Sequence, residues 1–119
     1  MNSVELKNRT KTFAHQCVKL AHLLPNNITG KHLAGQLIRS STSVAANYRA
    51  ACRAQFKKAF ISKLSIVVDE IDETYFWLEV ISDLAIINPN NLKELLVEAE
   101  ELTKILSSSR KTVQTKLNQ

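Results

Sequence analysis

The residues able to do chemistry are few and poorly assembled for it. "DEIDE", residues 69–73, is the densest acid cluster of the chain. Glu70 and Glu73 stand three apart, which on a helix puts both carboxylates on one face. Bundle di-metal centres use such carboxylates, but each also needs a Glu-x-x-His pattern. All three histidines (His15, His22 and His32) precede residue 33, and none has that offset from an acid. Cys17 and Cys52 form no C-x-x-C pair and have no evident base, so buried free thiols are expected. Gly-rich phosphate loops, G-x-S-x-G and H-E-x-x-H are lacking. The expectation is a non-enzymatic protein with no metal, no cofactor and no small-molecule substrate.

What remains is charge, and its distribution is lopsided. Residues 1–58 hold ten Lys/Arg and one acid, Glu5; residues 59–119 hold six Lys/Arg and ten acids. The halves therefore carry +9 and −4, together the +5 of the whole chain. Two arrangements satisfy such a split: the halves attract each other, within or between chains, or the basic half meets an anionic partner. For the second, Lys11, Lys19, Arg49, Arg53, Lys57 and Lys58 are the candidate nucleic-acid contacts. No zinc finger or helix-turn-helix pattern accompanies them, so such binding to RNA or DNA would be salt-sensitive and weakly sequence-specific.

The elements that position these groups are helical. The 119 residues suit one domain, 1–119, and only two Gly and two Pro occur, too few for a turn-rich β fold. Helical periodicity predicts helices over about 3–24, 31–53, 55–86 and 91–114. "LPNNITG" and "NPNN" break the chain, Asn91 with Glu94 resembles a capping box, and "TKLNQ" is expected to fray. Short loops make neighbours antiparallel, hence an all-α, up-down-up-down antiparallel four-helix bundle. No apolar run is long enough for a membrane, and "MNSVELKNRTK" lacks a signal-peptide core, so a cytoplasmic location is expected.

Two helices have more apolar or small surface than one core needs. On the second helix Leu37, Ser41, Val44, Tyr48 and Ala51 form the core stripe, while Ser40, Ser43, Asn47 and Ala50 form a second, small-residue stripe and Arg39, Arg49 and Arg53 a third sector. On the third, Phe60, Leu64, Val67, Val68, Ile71, Tyr75, Leu78 and Ala85 form the core stripe, and Ile66, Phe76, Trp77, Val80 and Leu84 a second apolar sector. Burying half of that sector, on the order of 300 Å2, is worth roughly 7 kcal/mol before association costs. A homo-oligomer is expected, with Ile66, Phe76, Trp77, Val80, Leu84, Ser43, Asn47 and Ala50 at its interface. If the hairpin turns near residue 54, Arg39 lies opposite the acid cluster and pairs with Glu70, Glu73 or Asp69, in the same chain or a neighbour.

"QLIRSSTSVAANYRAACRA", then "FISKL" and "DEIDETYFWLE", resembles the bacterial four-helix bundle family also called the 23S rRNA intervening-sequence protein family. The resemblance covers nearly the whole chain and rests on Gln36, Leu37, Arg39, Ser40, Ser43, Val44 and Asn47, then Lys63, Leu64, Asp72, Glu73, Thr74, Trp77 and Leu78. Many members carry Glu-Gly shortly after that Asn; here the chain reads "RAA", Arg49–Ala51. The resemblance implies a small bundle that assembles into rings, typically pentamers, and no enzymatic activity. It also implies kinship to the accessory variability determinants of diversity-generating retroelements, basic barrels that bind nucleic acid and a reverse transcriptase. An interaction scaffold is the function expected; a nucleic-acid-binding accessory protein is the alternative.

Overall fold

A computed structural model describes residues 1–119. Four helices follow one another: α1 (Ser3–Ala21), α2 (Ile28–Cys52), α3 (Lys57–Leu84) and α4 (Asn90–Leu117). α1 packs on α2, α2 on α3, α3 on α4, and α4 returns to α1, while the diagonal pairs meet only through core side chains. This is the up-down-up-down bundle, a rod of 50 × 21 × 20 Å. The α1–α4 seam is the most sparsely packed of the four.

The core follows the helical stripes. Phe13 and Cys17 of α1, Leu37 and Val44 of α2, Leu64, Ile71 and Leu78 of α3, and Leu102 and Leu106 of α4 are all buried in one contiguous cluster. A fully buried aliphatic or aromatic side chain contributes about 1.5–3 kcal/mol, so this stripe, repeated on four helices, drives the fold. Ala85, expected in the α3 stripe, is instead exposed and ends the helix in the left-handed region at φ 53°, ψ 39°. That left-handed residue ends the helix, so the buried stripe of α3 stops at Ile81.

Helix ends differ from the expected ones for local reasons. α2 begins three residues early, because the Asn27 side chain accepts a hydrogen bond from Gly30 N–H at 2.8 Å and so caps the helix. Gly30 is therefore part of the first turn rather than of the break. A Cβ on it would sit 1.9 Å from the Pro25 carbonyl oxygen, so the loop closes against the helix only over a glycine. α4 starts at Asn90 without a side-chain cap; Asn88 accepts from Asn90 N–H at 3.0 Å, which leaves Asn91 inside the helix and its capping box with Glu94 unformed. "TKLNQ" does not fray at once: α4 holds to Leu117.

Candidate interaction surfaces

Two ion-pair clusters tie helices together. Arg39 of α2 donates to Glu70 at 3.3 Å and to Glu73, both on α3 of the same chain. Glu73 also accepts from the Trp77 indole N–H at 2.9 Å, and Gln36 accepts from Arg39 Nε at 3.1 Å. Asp69, the third candidate partner, is exposed and unpaired. One helical step of 100° swings it from the α2 side of α3 toward solvent. The second cluster was not anticipated from sequence: Arg9 of α1 grips Glu98 of α4 with two bonds of 2.6 and 2.7 Å and Glu101 at 2.5 Å. These carboxylates raise the Arg9 guanidinium above its already high ordinary value, against a smaller opposing effect of burial. The signal was present, since Glu94, Glu98 and Glu101 recur at helical spacing in the acidic half. What it lacked was the rotation that aims it at α1.

A buried polar contact lies just below the Arg39 cluster. Ser40 and Thr74 are both fully buried, and their hydroxyls stand 2.9 Å apart. Thr74 also approaches the Glu70 carbonyl at 2.8 Å. With one hydrogen each, Thr74 donates to that carbonyl and Ser40 donates to Thr74. No buried side-chain polar atom of the chain lacks a partner.

The outer face of the α2–α3 seam is apolar where the ion pairs end. Ile28 is 87% exposed, Phe76 51%, Leu84 49% and Ile66 39%. Ile28, His32, Phe76, Trp77, Val80 and Leu84 line one shallow depression of about 480 Å3 at the α2 N-terminal end of the bundle. Trp77 is more enclosed than its expected interface role requires: it is half-buried, holds Glu73, and meets His32 and Phe76 edge-on at 5.8 and 5.0 Å. Ser43, Asn47 and Ala50 are half-buried further along the same seam. There the Asn47 amide donates back to Ser43, at 3.0 Å to its carbonyl and 2.9 Å to its hydroxyl.

The candidate cations do not form one surface. Lys11, Arg49 and Arg53 share a groove between α1 and α2, and Lys7 and His15 join them there. Lys19 lies in a separate depression beside Glu94 at the start of α4. Lys57 and Lys58 are exposed on the first turn of α3 and line neither depression. Arg49 and Arg53 meet no carboxylate, unlike Arg39 of the same helix. No three His, Cys, Asp or Glu side chains come together in a way that could hold a metal ion. Burial pushes the Cys17 thiol up to about 12, against a smaller opposing hydrogen bond with Ser41, so the thiol is inert near neutral pH. No helix is long and apolar enough to cross a membrane.

Comparison with known proteins agrees with this architecture. A solved structure similar to the chain is a protein of unknown function from the S23 ribosomal protein family of Bacteroides thetaiotaomicron VPI-5482, at 1.70 Å resolution. It superposes with a TM-score of 0.84 at 32% identity, over 93% of this chain and 99% of that one. No curated protein matches the chain. The family model described as 23S rRNA-intervening sequence protein matches residues 2–108, nearly all of the bundle and every cluster described above, and the chain belongs to that family.

Proposed function

We propose that the protein is a non-catalytic building block that assembles with copies of itself along the outer face of the α2–α3 seam and serves as a scaffold for other macromolecules. The observation that carries this reading is the apolar patch of Ile28, Phe76, Val80 and Leu84. From their fractional exposures, Ile28, Phe76 and Leu84 together present on the order of 300 Å2 of apolar surface, the size of the largest and often functional patch on a monomer. Covering it is worth roughly 8 kcal/mol before association costs.

A second copy of the chain fits this patch by charge. The exposed Asp69 and Asp83 lie on the same helix as the patch without ion-pair partners. The excess cations belong to the other half of the sequence and are supplied by any neighbouring copy. By the register that Arg39 and Ser40 set, Ile66 stands level with Asn47, so the exposed stripe runs along the rod rather than across it. Side-by-side rods meeting along such a stripe, each through unlike faces, form a ring when the rotation between neighbours closes. The pentamer implied by the family resemblance is the ring size proposed.

Light scattering on size-exclusion fractions tests this. The wild-type protein is expected to run as a multiple of the chain mass. Phe76→Glu is expected to give monomer with an unchanged helical circular dichroism spectrum. Phe76 is a cleaner probe than Trp77, whose loss would also free Glu73 from its indole donor. An unchanged assembly mass for the Phe76 variant would remove this face from the interface.

A further inference from the structure

We infer that the groove between α1 and α2 is a binding slot for the phosphodiester backbone of a single-stranded nucleic acid. The groove encloses about 490 Å3 and is walled by Lys7, Lys11 and His15 of α1 and by Arg49 and Arg53 of α2. No acid lines it. None of its four Lys and Arg side chains enters an ion pair, whereas the cations at Arg9, Arg39 and Lys104 all do. All four are exposed, so their charge is free to meet a ligand.

The arrangement selects the ligand. Lys7, Lys11 and His15 are successive turns of α1, and Arg49 and Arg53 are successive turns of α2, each step rising about 6 Å. The positive charge is thus drawn out along two facing rails instead of converging on one point. An extended polyanion with a charge at each residue matches this; a lone phosphate does not. Between the rails the lining is Ala14, Ala45 and the exposed Ala46, small enough to admit a backbone. A protein segment is the poorer fit, because protein interface cores exclude charge and require apolar anchors. None of the exposed large apolar side chains of the chain lies in the groove. No Phe, Tyr or Trp lines it either, and His15 is its one ring, so the slot lacks a stacking platform for successive bases and is expected to bind with little sequence preference.

The groove and the apolar patch lie on different seams, toward opposite ends of α2, so this inference does not depend on assembly. The test is fluorescence anisotropy with labelled single-stranded oligo-U and oligo-dT and a mixed-sequence duplex DNA, at several salt concentrations. Both single strands are expected to bind with similar affinity and more tightly than the duplex. The logarithm of the affinity should fall with the logarithm of salt at a slope near −3, from four phosphate contacts at about 0.7 each. Arg49→Ala with Arg53→Ala should weaken single-strand binding at least tenfold and halve that slope. Lys93→Ala with Lys116→Ala, an equal loss of exposed charge elsewhere, should leave both unchanged. Ala46→Phe narrows the groove without altering charge and should also weaken binding. The inference is overturned by no binding at low salt, by preference for the duplex, or by equal losses in the two charge-matched variants. It is also overturned if the Ala46 variant binds normally, or if the arginine variant changes assembly mass but not nucleic-acid affinity.

Discussion

At the scale of single residues, the bundle keeps its polar groups satisfied where they are buried and leaves its ion pairs near the surface. The two cases differ in energy. The Arg39 cluster is partly solvated and contributes at most about 1 kcal/mol. The Ser40–Thr74 hydroxyl pair is fully buried, and removing Thr74 leaves the Ser40 hydroxyl only a long contact of 3.5 Å to the Leu37 carbonyl. Thr74→Val is therefore expected to cost about 1–2 kcal/mol in urea denaturation, while Ser40→Ala combined with Thr74→Val recovers much of it. If the double variant is less stable by the sum of two single losses, the two hydroxyls are not acting as a pair. Ser40 was expected in a stripe that another helix approaches closely. That much is visible in its size and spacing. Its partner was not, because a hydroxyl contact across two helices depends on register to within one residue.

At the scale of elements, the breaks between helices carry as much information as the helices. Pro25, Asn27 and Gly30 all suggested a loop, yet only the first belongs wholly to it. Asn27 caps α2, and Gly30 is helical because the chain folds back so tightly that the Pro25 carbonyl occupies the space of a side chain. Gly30→Ala should accordingly lower stability by about 2 kcal/mol or more, although alanine is ordinarily the better helix former. Thermal unfolding decides the matter: an unchanged or higher midpoint would mean that the loop yields at no cost. Gly35 is the useful contrast, since a Cβ there meets nothing within 4 Å. The two glycines look alike in sequence, and only the returning chain tells them apart. Arg9 is the other element-level device, fastening α1 to α4 across the seam where packing is thinnest.

At the scale of the whole molecule, the core prefers its acids neutral. The ordinary value of the Cys17 thiol is 9.0, and burial raises it to about 12; the Tyr48 phenol is also raised, first by burial and then by its neighbour Cys52. Both groups ionise earlier in the unfolded chain than in the folded one. Folding stability is thus fully present below pH 9 and declines between pH 9 and 12, with the thiol contributing about 1.4 kcal/mol per pH unit. Urea midpoints measured from about pH 8.5 to about 10.5 should fall, and Cys17→Ala should flatten the decline. Parallel declines in the two proteins would assign the alkaline sensitivity elsewhere. The same whole-molecule view separates the two surfaces: an apolar stripe on the α2–α3 seam suits a copy of the chain, and a basic slot on the α1–α2 seam suits a polyanion.

The sequence by itself determined the number of helices, their antiparallel order and most of the core stripes of α2 and α3, though not Leu33 or Ile81. Those follow from a 3.6-residue period and from short breaks, which are local properties written into any stretch of about two turns. It also located the excess of apolar surface on α3 and of cations in the first half. The tertiary structure decided which of these excesses is free. Arg39 is taken up by Glu70 and Glu73 while Arg49 and Arg53, on the same helix, remain unpaired. Lys7 enters the groove and Lys19 does not. Trp77 turns inward onto Glu73 while Phe76 stays out. Each outcome depends on how far one helix is rotated and slid against the next. A shift of a single residue turns a side chain by 100°, and periodicity within one helix contains no term for its neighbour.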